Sequence, residues 1–281
     1  MSIEIPSGIP NQSDYGSVIG SALFAELEGF SREFLTAHPV VQATYGWVDD
    51  PLHQWSRQWE YPFVYQRILG ELEDRAGAAV DILDAGSGAT FFPFMLETKL
   101  TEGTITCCDY DASLEPIFKT VNEGRGSAVA FRQADLRGLP FDDASFDIIY
   151  CISVLEHTDN YEEIVDEFHR VLKPGGVLVA TFDIGLDGVS DIPPDAAARL
   201  NLCIETRFGD SDVAPGPLEV AADSVMSVNI GAENPELLPW RFPLLSWLKA
   251  VWKRKKLPTR IGKNLTVLCA QYTKSTKPTK P

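Results

Sequence analysis

No apolar run in this chain reaches the length of a membrane span, which takes about 20 such residues. The first residues, MSIEIPSGIPNQSD, lack the basic stretch followed by an apolar one that marks a secretory leader. Together these absences lead to the expectation of a cytoplasmic protein. Cysteine fits that expectation, at five residues, an odd number. There is no Cys-x-x-Cys and no Cys/His spacing of the kind that holds zinc. Basic residues are outnumbered 24 to 40, giving a net charge of −16. That balance excludes nucleic acid as the expected partner, because a phosphate backbone demands a basic face. No internal repeat is present.

What remains is the composition of an ordinary globular protein, 44% apolar and 23% charged over 281 residues. The length suits one large domain or a domain with a cap. Residues 1–16 are polar and rich in Pro, Gly and Ser, and read as loose. Residues 17–75 read as a helical cap. ALFAELEGFSREFL places Leu23, Phe24, Leu27, Phe30 and Phe34 close to the 3.6 period, and five aromatics follow between 55 and 65. From residue 80 the pattern changes. The runs VDILDA, TITCCD, AVAFRQ, FDIIYCI and GVLVATF alternate with helical or loop segments, the signature of a parallel sheet covered on both faces. YEEIVDEFHRVLKPGG is the clearest helix, with Ile164, Val165, Phe168, Val171 and Leu172 on one face and Pro-Gly-Gly as its stop. Residues 183–237 read as a loop-like insertion, and NLTVLCAQYT (264–273) as a last strand. After Glu236 there is no acid, while 11 of the 24 Lys and Arg follow it. The segment 238–256, LPWRFPLLSWLKAVWKRKK, reads as a surface helix packed on the domain. The alternative is an interfacial element in weak contact with a membrane surface or a polyanionic substrate.

The stretch VDILDAGSGATFFPFM (80–95) carries the strongest signal. A strand ends in Asp84 and turns through Gly86 and Gly88, so backbone can approach a ligand with no side chain in the way. A dinucleotide fingerprint would need a glycine where this chain has Phe91, which weighs against a nicotinamide enzyme. The motif ILDAGSGAT resembles instead the first motif of the class I S-adenosylmethionine-dependent methyltransferases, particularly their small-molecule branch called type 11, with Ala89 in place of the usual third glycine. Further motifs follow in the family's order over roughly residues 80–182: CCDYD, QADLRGLPF, FDDASFDIIYCISVLEH and VLKPGGVLVATF.

The resemblance implies a doubly wound α/β fold, a seven-stranded, mostly parallel Rossmann-like sheet, and S-adenosylmethionine as cofactor. With the composition of the flanking segments, the expected division is a tail and helical cap or lid (1–75), a cofactor-binding core (76–182), a substrate-side insertion (183–240) and a C-terminal stretch (241–281) of basic and aromatic residues, a last strand and a disordered tail. The resemblance also assigns residues. Asp84, Ala85, Gly86, Ser87 and Gly88 would hold the cofactor's amino-acid end. Asp109, 25 residues on, would accept both ribose hydroxyls, with Tyr110 beside the adenine. Asp135 would take the adenine amino group, with Leu136 near it, and Ile152 would close the set. The plainer readings are a turn cap for Asp84, a turn residue for Asp109 and a helix cap for Asp135; their joint spacing favours binding. Asp147 is assigned to structure.

Methyl transfer from a sulfonium needs alignment and exclusion of water, and a hydroxyl acceptor also needs a base. His157, just past the fourth strand, is the candidate base, set against a role in shaping its loop. Asp183, past the fifth strand, is a second catalytic candidate, set against a turn role. His169 reads as solvated and His38 as part of a turn. His53, Trp55, Trp59 and Tyr61 are the candidate substrate contacts, although aromatic cap residues more often form core. No metal is expected, because Asp159-Asn160 has no partner acids in register. The Asn-Pro-Pro-aromatic signature of nucleic-acid and protein amide methylation is absent. The expected function is methyl transfer to a hydroxyl or amine of a small molecule such as a sugar, glycan precursor or secondary metabolite; the alternative is a non-catalytic scaffold. Oligomeric state is left open.

Overall fold

A computed structural model describes residues 3–45, 48–188, 191–213, 216–238 and 263–276. Seven strands form one sheet in the order β3-β2-β1-β4-β5-β7-β6. They are β1 (Val80–Ala85), β2 (Gly103–Asp109), β3 (Ala130–Gln133), β4 (Phe146–Ile152), β5 (Leu172–Gly185), β6 (Gly209–Ser211) and β7 (Leu265–Lys274). The first five run parallel, and β7 lies antiparallel to both β5 and β6. The order reverses between β1 and β4, and a crevice opens there at the carboxyl ends of the strands.

Period-2 alternation sorts the strand residues into two apolar layers. Val80, Ile82, Ile148, Tyr150, Val177 and Val179 face one layer, while Leu83, Ala85, Ile149, Cys151, Leu178 and Ala180 face the other. The first layer is covered by α1 (Gln12–Ile19), α2 (Ala22–Ala37), α3 (Pro39–Gln42), α4 (Arg57–Asp74), α5 (Phe92–Glu97) and α6 (Glu115–Arg125). The second is covered by α7 (Tyr161–Val171) and α8 (Pro194–Phe208). Helix α9 (Ser227–Glu233) follows in the insertion. Local chemistry explains the starts and stops. Ser21 caps α2 by accepting from the Phe24 N–H at 3.1 Å. In α7, Glu162 and Glu163 stand in the first turn and His169 and Arg170 in the last, matching the helix dipole. α8 ends at Gly209 in a left-handed conformation, φ +93°.

Three readings are corrected here. The insertion is not all loop: PDAAARLNLCIETRF forms α8 because Ala197, Leu200, Ile204 and Phe208 recur at helical spacing and are buried. Residues 3–16 are not loose. Ile5 is buried, Gly8 exchanges backbone hydrogen bonds with Cys269 of β7, and α1 begins at Gln12. His169 is not simply solvated, since its ring meets Phe208 edge-on at 5.5 Å. Asp147 does serve the sheet: its Oδ2 accepts the Asp81 N–H at 2.9 Å and Lys173 Nζ at 2.7 Å. The basic aromatic segment falls, from residue 239 onward, outside the described residues. Among the described residues, no helix is long and apolar enough to cross a membrane.

Candidate active site

The crevice at the sheet's switch point holds two adjoining cavities. One, of about 260 Å³, is lined by Asp84, Ser87, Gly88, Arg57, Tyr61 and Ile152, among others. The other, of about 420 Å³, is lined by Tyr110, Ala134, Asp135, Leu136, Arg137 and His157, among others. Gly86, Asp109, Ser153 and Val154 border both, so the two are lobes of one cleft.

The glycine turn forms the floor. Gly86 has φ +77°, and a Cβ there would meet Val154 Cγ2 at 2.6 Å. Glycine is therefore required twice over, by backbone and by space. Gly86→Ala is expected to store about 1–3 kcal/mol of strain and to weaken cofactor binding. Calorimetry and a thermal melt check this, and an unchanged affinity would contradict it.

Asp84 is the penultimate residue of β1, with its side chain on the cap face. Tyr150 Oη donates to its Oδ2 at 2.8 Å, and Cys107 Sγ lies 3.9 Å from the same oxygen. Burial pushes the Asp84 carboxyl up to about 8. Asp109 ends β2 and ties two turns together, its Oδ2 accepting the Gly88 N–H at 2.9 Å and its Oδ1 the Asp111 N–H at 3.0 Å. A carboxylate has about four lone-pair sites, so acceptor capacity remains toward the cleft. Asp135 is engaged by Arg137, whose Nε and Nη2 donate at 2.9 and 2.6 Å. Those hydrogen bonds hold the Asp135 carboxyl down at about 2.

The cap enters the same cleft through α4. Glu60 is fully buried there. Its Oε1 accepts from Ser153 Oγ at 2.7 Å and from Thr181 Oγ1 at 2.5 Å, and its Oε2 pairs with Arg57. Arg57 also donates to Ser153 Oγ. Ser153 itself has φ +48°, an uncommon conformation for a non-glycine residue. Beneath this network, Glu156 Oε1 accepts the Asp183 N–H at 3.1 Å, while Glu156 Oε2 and Asp183 Oδ1 are buried without a hydrogen-bond partner. Burial raises both carboxyls, that of Glu156 to about 8.

Of the residues expected to bind the cofactor, Asp84, Gly86, Ser87, Gly88, Asp109, Tyr110, Asp135, Leu136 and Ile152 line the cleft. Ala85 does not; its side chain belongs to the buried layer under α7 and α8. Of the substrate candidates only Tyr61 borders the cleft. Trp55 and Trp59 are core residues, 2% and 0% exposed. His53 lies in a separate surface groove and faces Glu28 at 3.3 Å. Asp183 sits within the buried carboxyl pair and is not among the residues lining either lobe. His157 lines the larger lobe, with Nδ1 3.6 Å from Asp191 Oδ1. Arg57, Glu60, Ser153 and Asp191 were not expected from the sequence. Among the described residues no cluster is suited to a metal ion.

The cleft's donor set fits S-adenosylmethionine: a carboxyl for an ammonium, a carboxylate for a diol, and an apolar shelf at Ala134 and Leu136 for a base. A nicotinamide dinucleotide does not fit, because the position of its third glycine is filled by Phe91, which is buried against Tyr61 and Phe92. Comparison with known proteins agrees. Residues 83–180 match the family described as methyltransferase domain. This segment is a class I methyltransferase domain, of the kind that uses S-adenosylmethionine. More particularly, over 127 residues the chain is 33% identical to demethylmenaquinone methyltransferase of Thermus thermophilus, covering 45% of this chain and 54% of that protein. Over 128 residues it is 27% identical to sterol 24-C-methyltransferase of Eremothecium gossypii, covering 43% of this chain and 34% of that one. The chain thus spans between a third and about half the length of these curated relatives. Among solved structures, the 4+2 cyclase SpnF shares the fold over 96% of this chain and all of its own, with a TM-score of 0.52 at 17% identity.

Proposed function

We propose that this chain is an S-adenosylmethionine-dependent methyltransferase acting on a hydroxyl or amine of a small molecule. The observation that carries the reading is the meeting of Asp84, Asp109 and Asp135, from three neighbouring strand ends, along one cleft floored by Gly86 and Gly88. Asp84 would face the ammonium of the cofactor, and Arg57, held by Glu60 in the same lobe, its carboxylate. Asp109 would accept the ribose hydroxyls. Asp135 would keep its partner Arg137 while accepting the adenine amino group on a remaining lone pair. When bound, the cofactor supplies an electrophilic methyl carbon; the protein aligns the acceptor with it and keeps water out. His157 serves as base for a hydroxyl acceptor.

A small acceptor agrees with the relatives, whose names specify a sterol and demethylmenaquinone. The net charge of −16 supports a partner other than nucleic acid. A cytoplasmic location is part of the proposal, supported by five cysteines that are all unpaired. No observation favours a non-catalytic scaffold, since all three acids are in place. Incubation with methyl-labelled cofactor and a metabolite extract, followed by mass spectrometry, is expected to reveal a labelled small molecule; no label in any product would refute the reading. Asp109→Ala is expected to weaken S-adenosylmethionine binding by about 1–3 kcal/mol, the cost of leaving buried polar groups unmatched. Calorimetry measures it, and equal affinity would remove Asp109 from the ribose role.

A further inference from the structure

The insertion sends one acid back to His157, at the edge of the cleft. Asp191 follows β5 by six residues, and the adjacent Ile192 is pinned to the end of that strand: the Gly185 N–H donates to the Ile192 carbonyl at 2.7 Å. Asp191 adopts φ +51°, a left-handed conformation that Asp and Asn tolerate better than most residues. Its side chain is only 6% exposed. Oδ1 stands 3.6 Å from His157 Nδ1, and Oδ2 stands 3.1 Å from Lys263 Nζ. The imidazole is 61% exposed and borders the cleft, so its far nitrogen is within reach of a ligand. His157 is also tied to the wall shared by the two lobes, its backbone N–H donating to the Val154 carbonyl at 3.0 Å.

We propose that Asp191 is a positioning residue: it holds the proton of His157 on Nδ1 and leaves Nε2 as the acceptor that faces the cleft. The inference rests on the reading of His157 as base and names its acceptor class, a hydroxyl. A buried carboxylate beside one imidazole nitrogen fixes which nitrogen carries the hydrogen. Such contacts are often long before ligands bind and tighten afterwards. In the step that follows, the acceptor oxygen bonds to the methyl carbon and the carbon–sulfur electron pair stays with sulfur. The hydroxyl proton passes to Nε2, and the resulting imidazolium is stabilised by Asp191. The charged groups around His157 are Asp191 from the insertion, Lys263 ahead of β7, Arg57 from α4 and Asp159 on its own loop. Burial, Lys263 and Arg57 favour the neutral ring and Asp191 opposes them; the net direction is downward, so the ring is neutral and ready to accept at neutral pH.

The test is a long-range proton–nitrogen NMR titration of the imidazoles, with His157 assigned by its loss in His157→Gln. The wild-type ring is expected as the Nδ1–H tautomer. Asp191→Asn, which tolerates the backbone conformation, is expected to lower the His157 titration midpoint by about one pH unit and to mix the tautomers. Lys263→Met should move the midpoint the other way. In parallel, labelled methyl transfer into a metabolite extract should fall about tenfold in Asp191→Asn. If His157→Gln transfers at full speed, the base reading fails. If His157→Gln is slow while Asp191→Asn changes neither tautomer, midpoint nor transfer, the positioning role alone is overturned.

Discussion

Replacing Glu60 with alanine is expected to lower the unfolding free energy by about 3–5 kcal/mol, the cost of removing one partner from a buried ion pair. The loss would spread over three groups, because Glu60 is the common acceptor for Arg57, Ser153 and Thr181. Arg57 would be left as a cation without its counter-charge, and two hydroxyls would lose their acceptor. The effect should not stop at stability. Ser153 borders both lobes of the cleft in an uncommon backbone conformation, and Glu60 and its partner Arg57 tie it to the cap. Glu60→Ala should therefore weaken S-adenosylmethionine binding as well, whereas Glu60→Gln, which keeps an oxygen for the hydroxyls, should be milder on both counts. Urea denaturation with calorimetry reads the two effects, and an alanine variant with the wild-type midpoint would show the network to be idle.

The second large effect concerns protons. In the ligand-free fold burial holds the Asp84 carboxyl near 8, whereas an unfolded aspartate titrates near 3.9. Because the folded value is the higher one, the folded state binds the extra proton between these limits. The contribution to stability is present in full below about pH 4 and is lost as pH rises through about 8, at up to about 1.4 kcal/mol per pH unit. Glu156 and Asp183 act in the same direction. The ligand-free protein should thus be most stable in mild acid, and Asp84→Asn should flatten part of that slope in thermal melts across pH. Cofactor binding reverses the preference, since an ammonium beside Asp84 favours the carboxylate. At pH 6.5, below the titration of an α-ammonium at about 7.7–8.0, binding should release close to one proton. Calorimetry in buffers of different ionisation enthalpy counts it, and Asp84→Asn should bind weakly with no release. Zero release by the wild type would mean that the ammonium does not meet this carboxyl.

The legible part of this protein is the part whose chemistry is local in sequence. Asp84, Asp109 and Asp135 each lie within two residues of a strand's end, so the apolar runs and the family's motif order together were enough to bring them to one sheet edge. A parallel sheet covered on both faces followed in the same way from the alternation of apolar runs and helices. Contacts between distant segments were not legible. Glu60 and Arg57 lie in a helix whose aromatic residues dominate the pattern, and their partners Ser153 and Thr181 are 93 and 121 residues away from Glu60. Asp191 reaches His157 only through the path of the insertion. Proximity in sequence misled for His53: two residues from Trp55, it points into a different groove. In residues 183–237, Pro, Gly and Asp obscured the Ala197, Leu200, Ile204 and Phe208 period. Trp55 and Trp59 are explained by size, because large rings fill cores before they line clefts.

The outer side of β7 is closed by borrowed pieces rather than by one long neighbour. β6 covers its last residues, the Asp212 carboxylate accepts the Gln271 N–H, Gly8 pairs with Cys269, and Ser227 Oγ accepts the Leu265 N–H. An open strand edge recruits other chains, so the segment around Gly8 doubles as a guard against aggregation. A bulky fusion set close to Gly8, or a trimmed start, would put solubility at risk even though no catalytic group had been touched.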